Sequence, residues 1–156
     1  MSDLSSKVVL PDATSTAPAL CVHENVLVLA WKGSGNDNLN VSVSLDGGSS
    51  FPSKLTFSSR VSSSEGPALA SSGSRLFIAW KGSGNDNLNV AEVLLSRDAR
   101  QMITGVSSLG QLDLTFSDTS HSAPALAALN GQFLLCWRGE GGDHINVAKV
   151  PHALGA

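Results

Sequence analysis

The sequence contains no tyrosine, and only 5% of its 156 residues are aromatic. It also lacks an apolar run long enough to cross a membrane, and the residues after Met1, Ser-Asp-Leu-Ser-Ser-Lys, are too polar for a signal peptide. We therefore expect a protein that does not insert into membranes and is cytoplasmic as synthesised, with non-classical release as the alternative.

Charge is also scarce. Ten basic and thirteen acidic residues give a formal net charge of −3, and the basic residues do not cluster. Because proteins that bind nucleic acid carry clustered Lys and Arg, nucleic acid is excluded as a partner.

The sequence has two cysteines, Cys21 and Cys136. Each stands where alanine stands in the other copies of the repeat described next, which predicts small buried thiols rather than a disulfide.

One stretch of eleven residues occurs twice and then a third time in altered form. The copies are Trp31–Val41, Trp80–Val90 and Trp137–Val147. Each tryptophan lies 13 residues after the proline of a Pro-Ala-Leu, at Pro18, Pro67 and Pro124, whereas the copies themselves are 49 and 57 residues apart. Fixed spacing within the unit and variable spacing between units indicate stacked copies of one supersecondary motif.

The unit is predicted to be a meander of four antiparallel strands. Apolar runs bounded by turn residues end at each tryptophan, and helical periodicity is absent. The strands that end at a tryptophan are Val26–Trp31, Arg75–Trp80 and Phe133–Trp137; the third strands are Leu39–Ser44, Leu88–Leu94 and Ile145–Val150; the fourth are Lys54–Phe57 and Asp113–Phe116, with Lys7–Leu10 in the equivalent place before Pro18.

This pattern predicts an all-β fold, a β-propeller with four-stranded antiparallel blades and three blades per chain. Residues 1–156 would form a single propeller-half domain, with an outer strand at 7–10, blade one at 17–57, blade two at 66–116 and an incomplete blade three at 123–150. Because propellers usually have four to eight blades, we expect the ring to close by oligomerisation. A homodimer would have six blades, and the outer strand of each chain would cross to its partner.

The segment Ser44–Phe51, Ser-Leu-Asp-Gly-Gly-Ser-Ser-Phe, resembles the Asp-box (BNR repeat), Ser-x-Asp-x-Gly-x-Thr-Trp, of sialidase-like β-propellers. Ser50 and Phe51 replace the usual Thr and Trp. The second blade keeps only a remnant, Ser96-Arg-Asp98. The resemblance implies that the box is a structural turn at the outer corner of a blade, on the side away from the active site of that family.

The resemblance does not extend to catalysis. Sialidases of that family use a tyrosine nucleophile paired with glutamate, together with three arginines, whereas this chain has no tyrosine. Of its arginines, Arg60, Arg75, Arg97, Arg100 and Arg138, only Arg138 lies in a repeated loop. A Ser-His-Asp order, a phosphate-binding loop and a close carboxylate pair are also lacking. We therefore predict no catalytic residues and no enzyme, and a degenerate glycosidase is the least favoured alternative.

The repeated loop is the predicted ligand site. Polar side chains beside an indole suit a sugar, whose hydroxyls form hydrogen bonds and whose apolar face packs on an aromatic ring. In character the chain resembles small oligomeric propeller lectins, which offer a glycan site on each blade and gain avidity from the repetition. The predicted glycan-binding residues are Trp31, Lys32, Asp37, Asn38 and Asn40; Trp80, Lys81, Asp86, Asn87 and Asn89; and Trp137, Arg138, Asp143, His144 and Asn146.

A structural interpretation of the same loops stays open. The tryptophans would then wedge between blades, and each aspartate would cap its hairpin or pair with the preceding Lys or Arg. In that case the protein is a non-catalytic interaction scaffold.

We predict no cofactor and no metal. The segment Asn36-Asp37-Asn38 offers one carboxylate, which is too few for Ca²⁺. The histidines lack metal-ligand spacing and are predicted to be solvated in loops; they are His23, His121, His144 and His152.

Overall fold

The structure, a computed structural model, describes residues 1–57, 61–110 and 114–151. Within these ranges the chain is all-β: its strands pair antiparallel in three sheets, and no residue is helical. The sheets follow one another along the chain, so each is built from a continuous stretch of sequence. This confirms the all-β, antiparallel prediction.

The first sheet is the predicted meander. It contains β1 (Ala19–His23), β2 (Val26–Lys32), β3 (Leu39–Ser44) and β4 (Ser53–Thr56), paired in that order. Glu24 and Asn25, both at positive φ (46° and 69°), form the tight turn between β1 and β2, where such backbone angles match the twist of a hairpin.

The second sheet repeats this arrangement with one addition. It contains β5 (Ala68–Ser72), β6 (Arg75–Lys81), β7 (Asn87–Arg97), β8 (Ile103–Leu109) and β9 (Leu114–Thr119). The first half of β7 pairs with β9, which is the predicted fourth strand shifted along the chain, and the second half pairs with β8. Sequence analysis missed β8, which together with its turn lengthens the distance to the third copy. Asp113 and Arg60 lie outside the described residues.

The third sheet contains β10 (Ala125–Leu129), β11 (Gln132–Arg138) and β12 (Ile145–Lys149). Asn130 and Gly131 form its first turn at φ 51° and 78°, like the turn at the same place in the first sheet. Residues 7–10, the predicted outer strand, form no strand within the chain. In the prediction they pair with a second copy, which the structure does not contain.

The second sheet lies between the other two. Its Ile78 and Trp80 pack with Val28 and Val41 of the first sheet in one buried cluster. Side chains of β6 alternate between the two sides, so that Phe77 joins a second cluster with residues of the third sheet. This explains why β6 is a continuous apolar run, as expected for a strand buried on both faces.

The packing of Phe77 against Phe133 joins the second and third sheets directly. The ring centroids are 4.1 Å apart and the planes are inclined by 66°, an edge-to-face arrangement. Burying an aromatic or large aliphatic side chain of this kind stabilises the folded chain by about 1.5–3 kcal/mol. The stack therefore places equivalent loops of successive sheets next to one another.

Candidate functional site

The repeated loops are the hairpin connections β2–β3, β6–β7 and β11–β12. A backbone hydrogen bond closes each one at its base: Gly33 N donates to Asn38 O (2.9 Å), Gly82 N to Asn87 O (2.7 Å) and Gly139 N to His144 O (2.9 Å). A Cβ atom on Gly33 would lie 2.3 Å from Asn36 Oδ1, so a larger residue here would displace the Asn36 side chain from its place in the hairpin. Part of the identity between the first two copies thus follows from the geometry of the hairpin.

The asparagines of the first loop also hold the hairpin together. The Asn36 side chain accepts a hydrogen bond from the backbone of Asn38 at 3.0 Å. Asn40 donates to Asn38 O (3.3 Å) and accepts from Thr56 Oγ1 in β4 (2.6 Å), which ties the loop to the fourth strand. Asn40 is buried, so both ends of its amide are engaged inside the protein.

The second loop repeats these contacts and the third repeats some of them. Asn89 donates to Asn87 O at 2.9 Å and accepts from Thr115 Oγ1 in β9 at 2.7 Å. Asn146 donates to His144 O at 3.1 Å. The asparagines at this repeat position, predicted as ligand residues, therefore support the loop from within.

Each loop aspartate faces the basic residue five positions earlier. The distances are 3.5 Å from Lys32 Nζ to Asp37 Oδ1, 2.5 Å from Lys81 Nζ to Asp86 Oδ1 and 2.6 Å from the Arg138 guanidinium to Asp143 Oδ1. The two lysine side chains are almost fully buried, whereas the Arg138 pair is exposed. These pairs are the ones that the structural interpretation of the loop requires.

The aspartate of the first loop also contacts the second loop. Ser83 Oγ donates a hydrogen bond to Asp37 Oδ2, and Ser63 N donates to Asp37 O at 2.8 Å. The Ser83 hydroxyl, and after it Lys32, holds the pKa of Asp37 below its usual value. We call this contact region between the first and second loops the first seam, and the equivalent region between the second and third loops the second seam.

The segments that lead into each sheet share a turn that sequence analysis missed. Thr14, Ser63 and Ser120 each stand four residues before a repeated proline, and each hydroxyl donates to the carbonyl two residues later, at 3.1, 2.8 and 2.9 Å. The same hydroxyls accept from the backbone N–H of that later residue. A Ser or Thr at constant distance from each Pro-Ala-Leu was the signal for this turn.

The tryptophans differ in their surroundings. Trp80 is 2% exposed within the first core cluster, and Trp31 is 5% exposed. Trp137 is only half-buried against the second cluster. Trp80 and Trp31 therefore each present little indole surface to a ligand, and Trp31 lies at the base of an open cleft.

This cleft, about 320 Å³ in volume, lies beside the first loop. Its polar lining includes Asn36, Asn38, Asn40, Asp12 and Lys54, above Trp31. Lys54 Nζ forms an ion pair with Asp12 Oδ1 at 2.5 Å and lies 6.0 Å from the centroid of the Trp31 ring. Sequence analysis did not predict Asp12 or Lys54, because both lie outside the repeated loop.

The cleft brings together three of the predicted ligand residues, Trp31, Asn38 and Asn40, and leaves the others elsewhere. Asp37 lies in the first seam, where it accepts from Ser83, and Lys32 donates to Ser15 Oγ at 3.0 Å. In the third loop, Arg138, Asp143 and Asn146 are hydrogen-bonded within that loop.

The histidine prediction is wrong for one residue. His23 ends β1, is 2% exposed and forms a hydrogen bond with Ser71 Oγ at 2.7 Å, and burial lowers the pKa of its imidazole. His152 lies outside the described residues.

Both cysteines are free and half-buried, and burial raises the pKa of the Cys21 thiol. The chain forms no disulfide between them, as predicted, although neither thiol is fully enclosed. A thiol whose pKa is raised carries less of the nucleophilic thiolate, so burial makes Cys21 less reactive.

The segment that resembles an Asp-box forms the turn between β3 and β4. Asp46 Oδ1 accepts from Ser44 Oγ (2.7 Å) and Ser50 N (2.9 Å), and Oδ2 accepts from Ser50 Oγ (2.6 Å). These bonds, led by that from the Ser50 hydroxyl, lower the pKa of Asp46 to about 2. Asp98 accepts from the backbone of Arg100 and Met102 in the β7–β8 turn, which retains part of this pattern.

Compared with family models, curated proteins and solved structures, the chain matches none of them. The resemblance to sialidase-like propellers therefore rests on the Ser44–Phe51 turn and on the repeat. In the part of the chain that the structure describes, no helix has the length and apolar character needed to cross a membrane.

Proposed function

We propose that the protein is a non-enzymatic carbohydrate-binding protein, a lectin, and that its sheets are blades of a β-propeller. The observation that carries the glycan proposal is the cleft beside the first loop. It combines amide groups, one carboxylate and one ammonium group with an indole. The Asp12 carboxylate, the Lys54 ammonium group and the Asn38 amide can donate to and accept from sugar hydroxyls, and Trp31, which is 5% exposed, forms the apolar base of the cleft.

The size of the cleft supports a small ligand. About 320 Å³ is at the lower end of the range for ligand pockets, which suits one or two sugar rings better than a long chain. Asp12 and Lys54 are available to a ligand, because their side chains are partly exposed and they pair with each other. The Asn40 amide, held by Asn38 O and Thr56, would form a rigid wall beside the Asn38 side chain.

The proposed propeller closes with a second copy of the chain. On the outer face of the third sheet, Ile145 and Val147 are 81% and 62% exposed, whereas Leu88 and Val90, at the same repeat positions, are 0% exposed between the second and third sheets. The third sheet thus exposes apolar residues at the positions that the second sheet uses to pack against the third sheet. A further blade of this type would cover that face.

The first sheet offers the complementary surface. Leu20 is 61% exposed, while Leu69, its counterpart in the second sheet, is 9% exposed in the first core cluster. The exposed faces of the first and third sheets therefore correspond to the two sides of an internal contact. Two copies related by a twofold axis would bury both faces twice and give six blades.

The outer strand fits the same arrangement. Lys7 stands 11 residues before Pro18, as Asp113 stands 11 residues before Pro124. Leu114, the residue after Asp113, pairs with Val90 in the second sheet. By this equivalence Val8 of one copy would pair with Val147 of the other, on the edge of β12.

A glycan array with the purified chain tests the lectin proposal, and we expect a signal that free sugar competes away. The double variant Asp12→Ala/Lys54→Ala should lose this signal, because both groups face the cleft. The matched control is Glu24→Ala/Arg97→Ala, which removes another partly exposed ion pair, at 2.7 Å, away from the cleft.

Two results would contradict the proposal in different ways. Binding that survives in the cleft variant would place the sugar elsewhere on the protein. An array without signal would reject the lectin and favour the non-catalytic interaction scaffold, for which pull-down of protein partners is the next experiment.

A further inference from the structure

The two seams between the loops differ at two positions. In the first seam, Ser83 donates to Asp37, and Ser64, three residues before the proline of the second sheet, accepts from Lys81 at 2.6 Å. In the second seam these positions, three residues before the proline and three residues after the tryptophan, are held by His121 and Glu140, and the aspartate is Asp86. Both serines are thus replaced by residues of types that bind metal ions.

The three side chains of the second seam converge. His121 Nδ1 lies 3.6 Å from Asp86 Oδ2 and 3.6 Å from Glu140 Oε1, and one ligand atom from each residue lies within 4.8 Å of the others. Zinc bonds of about 2.0–2.1 Å in tetrahedral geometry separate the ligand atoms by about 3.4 Å. The observed separations therefore need only small side-chain movements to accept an ion.

The charges around this cluster favour a cation. Lys81 contacts Oδ1 of Asp86, so Oδ2, the atom that faces His121, is available. Arg138, the nearest base in the third loop, pairs with Asp143. The positive charge of Lys81 thus balances one of the two carboxylates of Asp86 and Glu140. One negative charge remains at the carboxylate oxygens that face the His121 imidazole.

We propose that Asp86, His121 and Glu140 bind a divalent transition-metal ion of the Zn²⁺ class at the second seam. One imidazole nitrogen and two carboxylate oxygens are zinc ligands, and the partial exposure of all three side chains leaves room for water at the fourth position. Because Asp86 and Glu140 belong to hairpins of different sheets, the ion cross-links the second sheet to the third. This proposal is independent of the glycan site.

Calorimetric titration of the full chain with Zn²⁺ tests the proposal, and we expect one site per chain. The double variant His121→Ser/Glu140→Ser gives the second seam the residue types of the first, and it should bind Zn²⁺ at least about tenfold more weakly. His144→Ser is the control, because it removes another loop histidine that is not part of the cluster. It should bind as the unchanged chain does.

A thermal melt provides a second readout. Zn²⁺ should raise the melting temperature of the unchanged chain and of His144→Ser but not that of the double variant, and Ca²⁺, which prefers oxygen ligands alone, should have little effect on any of them. The proposal is overturned if the double variant binds Zn²⁺ as tightly as the unchanged chain, if His144→Ser abolishes binding, or if no Zn²⁺ binds.

Discussion

Ser83, in the loop of the second sheet, donates its hydroxyl to the Asp37 carboxylate in the loop of the first sheet. Asp37 also faces the buried Lys32 ammonium within its own loop. Asp143, at the same position of the third loop, has Arg138 as its ion-pair partner among the described residues and is largely exposed. One position of the repeat thus joins two sheets in one copy and lies at the surface in another.

Replacing Asp37 by Ala should lower the free energy of unfolding by about 1–2 kcal/mol, because a charge-assisted hydrogen bond between sheets is lost and Lys32 loses its carboxylate. Asp143→Ala should change stability by less than about 0.5 kcal/mol, as exposed ion pairs usually do. Urea unfolding followed by circular dichroism gives both values. Equal losses in the two variants would show that the Ser83 contact contributes nothing.

At Gly66, comparison of the repeats and the structure predict different effects of a substitution on stability. Gly66 precedes Pro67, and the residues at its position in the other copies are Ala17 and Ala123. Comparing repeats suggests that Gly66→Ala is harmless, but a Cβ atom there would lie 2.2 Å from the carbonyl oxygen of Ala17. This clash between sheets should cost about 1–3 kcal/mol of the free energy of unfolding.

Gly105→Ala is the control for this variant. Its Cβ would come no closer than 4.0 Å to the Ser53 side chain, so we expect nearly unchanged stability. Both variants can be compared with the unchanged chain in one thermal melt. A melting temperature for Gly66→Ala as high as that of the control would show that the sheets can separate slightly at little cost.

The strands were predictable where the repeat aligned them. The apolar run of β6 indicated a strand buried on both sides, and Phe77 and Ile78 do point into different core clusters. Within the described residues the strand β8, Ile103–Leu109, has no counterpart in the other sheets, so comparison of the copies could not reveal it. The greater spacing between the second and third copies was the sign of an addition.

The sites were harder to predict, because side chains meet there across sheets. Asn40 was assigned to a ligand from its residue type, whereas its partner, Thr56, lies on a different strand. The residues Asp86, His121 and Glu140 come from two hairpins and a connecting segment, and no spacing rule for metal ligands joins them. Only the stacking of the sheets brings such residues together.

The Asp46 turn should stabilise the protein in a pH-dependent way. The pKa of Asp46 is about 2 in the folded chain and 3.8 when unperturbed, so its contribution is fully present above pH 3.8 and disappears as the pH falls towards 2. Asp46→Asn should therefore melt below the unchanged chain at pH 5, and the gap should narrow towards pH 2. The other titrating groups, His23 among them, are present in both proteins and affect both alike. A gap that stays constant between pH 5 and pH 2 would show that the carboxylate charge does not matter.

The proposed ring predicts twice the 16.1 kDa chain mass by light scattering. Val147→Asp places a charge on the outer face of the third sheet, where the side chain is 62% exposed in the single chain. Such a change is harmless on a free surface but destabilises a contact by burying an unpaired carboxylate, so we expect the variant to be a folded monomer. Met102→Asp is the control at a residue that is 63% exposed in the β7–β8 turn, and it should remain a dimer.

The two variants together separate ring closure from other forms of association. If the unchanged chain is a stable monomer, the exposed apolar faces of the first and third sheets do not pair, and the six-bladed ring is wrong. If it is a dimer that Val147→Asp leaves intact, the copies associate through another surface. The ring requires the unchanged chain and Met102→Asp to dimerise and Val147→Asp to stay monomeric, because the face that contains Val147 repeats a buried surface of the second sheet, whereas Met102 lies in a turn.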